Sequence, residues 1–309
     1  MGGSGGSGGI FSARTNPDRL REQAVDEAER ARFATEVNGL LARELAQVNS
    51  RDVAAVSDRL DEIREGLESQ GVEIEALLFG GSVAKHTYVD GLSDVDSLAL
   101  LDIDSMSNVS PSAAREQLAD AIRSTLGAGD VERVEVGDLA VRVTYKGGMV
   151  IELLPAVRSG EQFVIPSEDG RSWREIDPQA FSRRLTEANR KLGDALVPTI
   201  KLAKAMIAEL PAAQHLTGYH VEALALAAFQ DYRGPRNPAA MLEHFFRSVR
   251  SAVLHPIKDV TGQSPEVDEY LGEEFSGRRQ RTAASMARVA RIMESSTLID
   301  QWRELLGSD

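Results

Sequence analysis

The sequence predicts an α+β fold: a mixed β-sheet with helices, followed by a lobe built almost wholly of helices. Three observations carry this. Residues 72–157 hold short apolar runs of strand length separated by Gly-rich turns. From residue 178 onward, apolar residues recur at helical spacing between proline breaks. The 309 residues, 42% of them hydrophobic, suffice for one large domain or two closely joined lobes. The division that follows is 1–16 as a flexible Gly/Ser-rich N-terminus or linker, 17–177 as the sheet-containing core with N-terminal helices, and 178–309 as the helical C-terminal lobe.

Each element has its own signal. Residues 1–9 alternate Gly and Ser after Met1, with no apolar core of a secretion signal. Asn16-Pro17 opens a helix whose stripe runs through Val37, Leu40, Leu41 and Leu45. Asn49-Ser50 interrupts it, and a second stripe of Val56, Leu60, Ile63 and Leu67 runs to Gly71. Val72–Phe79 and Val95–Leu101 read as strands, and Ser110-Pro111 starts a helix over 111–126. Val131–Val136 and Leu139–Tyr145 flank Gly137-Asp138, a two-residue hairpin signal. Met149–Leu154 is a further strand, which Pro155 is expected to close. Helices are expected at 178–193, 197–210, 218–231, 238–254, 277–295 and 297–306.

Composition excludes several functions. There is no cysteine, so disulfides, cysteine-zinc sites and thiol catalysis are out, and a reducing cytoplasm is the expected setting. No run of about 18 apolar residues marks a membrane span. A formal charge of -13 argues against stable binding of DNA or other long nucleic acid, whose phosphates demand a basic surface. It leaves room for a single nucleotide held by a local cluster of cations and metal.

The chemistry concentrates in Phe79-Gly80-Gly81-Ser82, followed a dozen residues later by Ser93-Asp94-Val95-Asp96. Side chains two apart on a strand share a face, so Asp94 and Asp96 converge. Two carboxylates that close repel unless a cation lies between them, and magnesium takes such oxygen ligands together with phosphates. A solvated strand entrance is the plainer alternative. Glu152 is a third acid, set inside Met149-Val-Ile-Glu-Leu-Leu-Pro155. A lone carboxylate in an apolar strand needs compensation: a metal shared with Asp94 and Asp96, or an arginine. Three such acids suit two ions, magnesium or manganese, one activating an attacking hydroxyl and the other neutralising departing pyrophosphate.

Gly80 and Gly81 let backbone approach a phosphate, and Ser82 can cap a following short helix. Lys201 and Lys204 stand three apart on one predicted helix, placed either to grip a triphosphate or to be solvated. Tyr219-His220 can approach a base or ribose or pack in the core. Arg278, Arg279, Arg281, Arg288 and Arg291 read mainly as a soluble face paired to nearby acids.

Gly81-Ser82-Val-Ala-Lys-His-Thr87 with Ser93-Asp-Val-Asp96 resembles the signature of polymerase-β-type nucleotidyltransferases, and most closely the bacterial CD-NTases, relatives of cyclic GMP-AMP synthase. Val150–Ala156 resembles the family's third-acid strand, Leu196–Lys201 its lysine helix, Gly218–Glu222 its Ser-Tyr-His-Leu-Glu helix start, and Trp302–Gly307 its closing motif. The resemblance, spanning 20–307, implies a polymerase-β-like palm with the active site in the cleft before the helical lobe. It implies a magnesium-dependent enzyme that joins nucleoside triphosphates into a cyclic di- or trinucleotide messenger. That messenger would activate a separate effector in anti-phage signalling. Asp94, Asp96 and Glu152 then bind metal and carry catalysis, while Gly81, Ser82, Lys201, Tyr219, Asp94 and Asp96 contact nucleotide. A monomer suffices. Two residues depart from the pattern: Glu152 stands where aspartate is usual, and Gly218 where serine is usual, with Thr217 available to substitute. These departures keep open a degenerate nucleotide-binding member acting through partners. Transfer of a nucleotide to RNA ends or to a small molecule is the neighbouring enzymatic alternative.

Overall fold

The computed structural model describes residues 17–49, 53–79, 87, 95–102, 109–127, 129–159, 162–167, 171–262 and 266–308. Strands β1 (Ile74–Phe79), β2 (Val95–Leu101), β3 (Val131–Val136), β4 (Val141–Tyr145) and β5 (Val150–Ser159) lie in the order β1-β2-β5-β4-β3. β6 (Gln162–Pro166) pairs with β5, and β7 (Trp173–Ile176) with β6. β2 and β5 run parallel at the centre; the other pairings are antiparallel. The expected α+β fold is therefore present, with a mixed sheet.

Alternation along the central strands sorts the sheet into two faces. Val95, Ala99, Val141, Val143, Ile151 and Leu153 are buried against helices α2 (Val53–Ser69) and α3 (Pro111–Leu126). Ile63 and Leu67 of α2 are wholly buried there, each contributing on the order of 1.5–3 kcal/mol. The intervening residues, Asp96, Arg142 and Glu152 among them, take the other face.

Two strand expectations need correction. Pro155 does not end β5, which continues to Ser159. It falls between Leu153, the last partner of β4 on this strand, and Val157, the first partner of β6. Its missing N–H therefore removes no antiparallel ladder bond. The β3–β4 connection is longer than two residues: Val136 pairs with Val141, and the Gly137 N–H donates to the Ala140 carbonyl at 2.8 Å.

The second layer is helical: α4 (Ala180–Lys191), α5 (Leu196–Ala208), α6 (Gly218–Ala228), α7 (Pro238–Ala252), α8 (Gly277–Ser295) and α9 (Ile299–Leu306). α1 (Pro17–Val48) joins this layer. Its Val37, Leu40 and Leu41 share a core with Leu202, Phe245, Met286 and Leu306. The division at 177 groups both N-terminal helices with the sheet; packing splits them, α2 to the sheet and α1 to the helical lobe. The lobe closes on the C-terminal motif. The Trp302 indole N–H donates to the Ser296 hydroxyl at 2.8 Å, and the Ser308 hydroxyl donates to Glu44 of α1 at 2.9 Å.

Candidate active site

Two of the three acids expected to meet, Asp96 and Glu152, lie among the described residues. Asp96 and Glu152 are register partners across parallel β2 and β5, so their side chains leave the same face of neighbouring strands. Glu152 is also the register partner of Arg142 on β4. Asp96, Glu152 and Arg142 thus form a row across three adjacent strands, on the face away from α2 and α3. Asp94, Gly81 and Ser82 lie outside the described residues.

Glu152 departs from its expected setting. Its side chain is 30% exposed rather than sunk among apolar neighbours, and the arginine alternative for its partner is the one observed. Arg142 Nε and Nη2 donate to Glu152 Oε1 at 2.9 and 2.6 Å. An ion pair this open to water contributes on the order of 0–1 kcal/mol to stability. Among the described residues no group of three or more acids or histidines gathers around one point. The donor chemistry of Asp96 and Glu152 nevertheless fits a divalent ion: both offer carboxylate oxygens on one face, and Arg142 engages only one oxygen of the pair member it touches.

The segment between the glycines and the acids is tied to the helical lobe at Thr87, which is fully buried. Its hydroxyl donates to Glu222 Oε1 of α6, and its carbonyl accepts from Lys204 Nζ of α5 at 3.0 Å. Lys204 also pairs with Glu222 at 2.8 Å, with side chains 5% and 0% exposed. Of the two lysines read from sequence, Lys204 is thus a buried structural cation. Lys201 stays half-buried on α5 and donates to Asn49 Oδ1 after α1. The signal for Glu222 was its place in the Gly218–Glu222 motif; for Arg142 there was none, since an arginine on a polar hairpin strand is ordinary.

The glycine at 218 has a local reason. A Cβ there would lie 3.2 Å from Lys204 Nζ, so the serine usual in the family would crowd the buried ammonium. Thr217 instead caps α6, its hydroxyl accepting from the His220 N–H at 3.3 Å. Tyr219 is half-buried with its ring centroid 4.6 Å from that of Phe181, and its hydroxyl donates to Asp259 at 2.9 Å. Burial, then the Asp259 hydrogen bond, pushes the phenol's pKa up. The ring is a fixed wall.

His220 belongs to the core. Its Nδ1 meets the Tyr270 hydroxyl at 2.8 Å, and its Nε2 lies 3.6 Å from Asp268, which Arg279 pairs at 2.6 Å with both side chains fully buried. Burial lowers the imidazole pKa to about 4, Asp268 opposing and Arg279 assisting. Arg279 is therefore no part of a soluble face. Arg281, Arg288 and Arg291 are exposed, and among the described residues none pairs with an acid, contrary to expectation.

Comparison with known proteins sets this geometry in context. Residues 39–189 match the profile of the Second Messenger Oligonucleotide or Dinucleotide Synthetase domain. Among solved structures, the chain resembles CdnC of E. coli MS115-1 with ATP at a TM-score of 0.64 and 16% identity, over 87% of this chain and 96% of that one. It resembles the Bradyrhizobium diazoefficiens CD-NTase CdnG with GTP at a TM-score of 0.65 and 16% identity, over 86% and 94%. Against the Vibrio cholerae DncV cyclic AMP-GMP synthase the TM-score is 0.59 at 11% identity, over 95% and 90%. At such identities the likeness establishes the fold. No curated protein sequence matches the chain.

Proposed function

We propose that the chain is a nucleotidyltransferase of the CD-NTase kind, which makes cyclic oligonucleotides, and that it joins nucleoside triphosphates into a cyclic di- or trinucleotide messenger. The observation that carries this reading is the Asp96–Glu152 register across the two central strands. ATP and GTP in the CdnC and CdnG structures support nucleoside triphosphates as substrates. Asp96 and Glu152, with Asp94 two residues before Asp96, are the residues to hold divalent metal.

When bound, magnesium or manganese would lower the pKa of an attacking ribose hydroxyl and offset charge on the departing pyrophosphate. The protein's own residues do the remaining work. Glu152 lies beside Asp96, where its carboxylate can draw the proton from the attacking hydroxyl. The Gly81-Ser82 backbone takes the triphosphate, with Lys201 adding charge after exchanging its Asn49 contact. Thr87, held by Glu222 and Lys204, is fixed against the helical lobe. Tyr219 offers a rigid face to the nucleotide.

The setting we propose is a cytoplasmic monomer that signals to a separate effector through its product in anti-phage defence. No helix among the described residues is long and apolar enough to cross a membrane. The test is incubation with labelled ATP, GTP, CTP and UTP plus magnesium or manganese, then phosphatase treatment and separation. Phosphatase-resistant products that vanish in Asp94→Ala/Asp96→Ala support the reading. Products that require added RNA, or nucleotide binding without turnover, refute it in favour of end transfer or a degenerate member.

A further inference from the structure

The Arg142–Glu152 pair sits in the row that would bind the ions, and its geometry is selective. Two donors of one guanidinium, Nε at 2.9 Å and Nη2 at 2.6 Å, converge on the single oxygen Oε1. A guanidinium meeting a carboxylate for stability alone favours the two-oxygen fork, with one bond to each oxygen. Here Oε2 stays outside the pair. The row order is Asp96, Glu152, Arg142, so Arg142 holds Glu152 from the side opposite Asp96. Glu152 also has one more rotatable bond than the aspartate usual at this point. Fixing that extra freedom costs side-chain entropy at each binding event unless a neighbour has already fixed it.

We propose that Arg142 is a positioning residue for the metal site: it clamps Glu152 through Oε1 and so leaves Oε2 as the oxygen an ion shared with Asp96 can take. The arrangement compensates for the longer acid, and it follows the general pattern in which a ligating carboxylate is itself hydrogen-bonded from behind. The pair is half open to solvent, so its contribution to folding is small and its removal leaves the fold intact. This inference rests on the metal-binding reading of Asp96 and Glu152.

The test uses Mn2+ binding to the full chain without nucleotide, followed by electron paramagnetic resonance of the free ion. Wild type is compared with Asp96→Asn, Arg142→Ala, Arg142→Lys and Glu152→Asp, all at equal urea stability. Loss of binding in Asp96→Asn supports the site itself. Arg142→Ala is expected to weaken Mn2+ binding by about 10–100-fold. Arg142→Lys should recover part of the loss through its single ammonium. In the Glu152→Asp background the shorter side chain no longer reaches the clamp, so Arg142→Ala should change affinity less than about twofold against that larger loss. Unchanged or tighter Mn2+ binding in Arg142→Ala, with Asp96→Asn still losing it, overturns the inference and leaves the site reading standing. Asp96→Asn binding Mn2+ as wild type does overturns the site reading.

Discussion

Glu222→Gln removes one negative charge from a site where Lys204 is 5% and Glu222 0% exposed, while keeping shape and the Oε1 acceptor for Thr87. The Lys204 ammonium, 2.8 Å from that oxygen, then loses the counter-charge of Glu222. Breaking a buried pair from one side costs on the order of 3–5 kcal/mol. An upper limit comes from the lysine's other option, shedding its proton, which at pH 7 costs about 4–5 kcal/mol from a solvated reference. The expected loss in urea unfolding is therefore about 3–4 kcal/mol, toward the lower end because the amide oxygen still accepts. Adding Lys204→Met to Glu222→Gln removes the stranded charge and should recover more than half of that loss. Turnover should fall as well, since Thr87 lies between Gly81-Ser82 and Asp94-Asp96 in the chain. A loss under about 1 kcal/mol, or a double variant whose loss is the sum of the two singles, would refute the account of a charge pair stabilising the lobe contact.

Three further outcomes are expected. His220 is held neutral with a pKa of about 4 against 6.5 in the unfolded chain, so the unfolded state binds more protons between these values. Its contribution is complete above pH 6.5 and falls by about 3 kcal/mol toward pH 4; in urea titrations His220→Asn should show a correspondingly shallower pH slope than wild type. Gly307 ends α9 at φ 64, and a Cβ there would meet the Glu209 carboxyl carbon at 2.4 Å. Gly307→Ala should cost about 1–2 kcal/mol in thermal unfolding, and adding Glu209→Ala should relieve only the contact and not the backbone strain. Trp302→Phe removes the indole donor to the buried Ser296 hydroxyl, which keeps its own bond to the Met293 carbonyl, and should cost on the order of 1 kcal/mol beyond the lost ring volume, a difference that Ser296→Ala in the same background should erase.

Much of this molecule is legible along the chain. The stripe of Val56, Leu60, Ile63 and Leu67 announces an amphipathic helix, and those four residues are buried on α2. Strand spacing sets Val95 and Asp96 on opposite faces, and Val95 is buried against α2 and α3; Glu152, expected among apolar neighbours, lies instead on the other face with its side chain 30% exposed. Such patterns are local: side-chain spacing follows the period of the backbone that carries it. What the chain alone left open was non-local. That β2 and β5 are parallel neighbours in a register opposing Asp96 to Glu152 depends on a crossover through α3, β3 and β4. That Arg142 compensates Glu152 depends on β4 flanking β5 on the other side. The same holds for α1, whose stripe suits either layer and whose place is decided by the helices around it. Lys201 and Lys204 stand three apart on α5, and it is Glu222 on a separate helix that makes burial of Lys204 affordable. Spacing within one element determined which side chains share a face; only packing between elements decided what each face meets, because ion-pair partners and strand neighbours come from residues far apart in the chain.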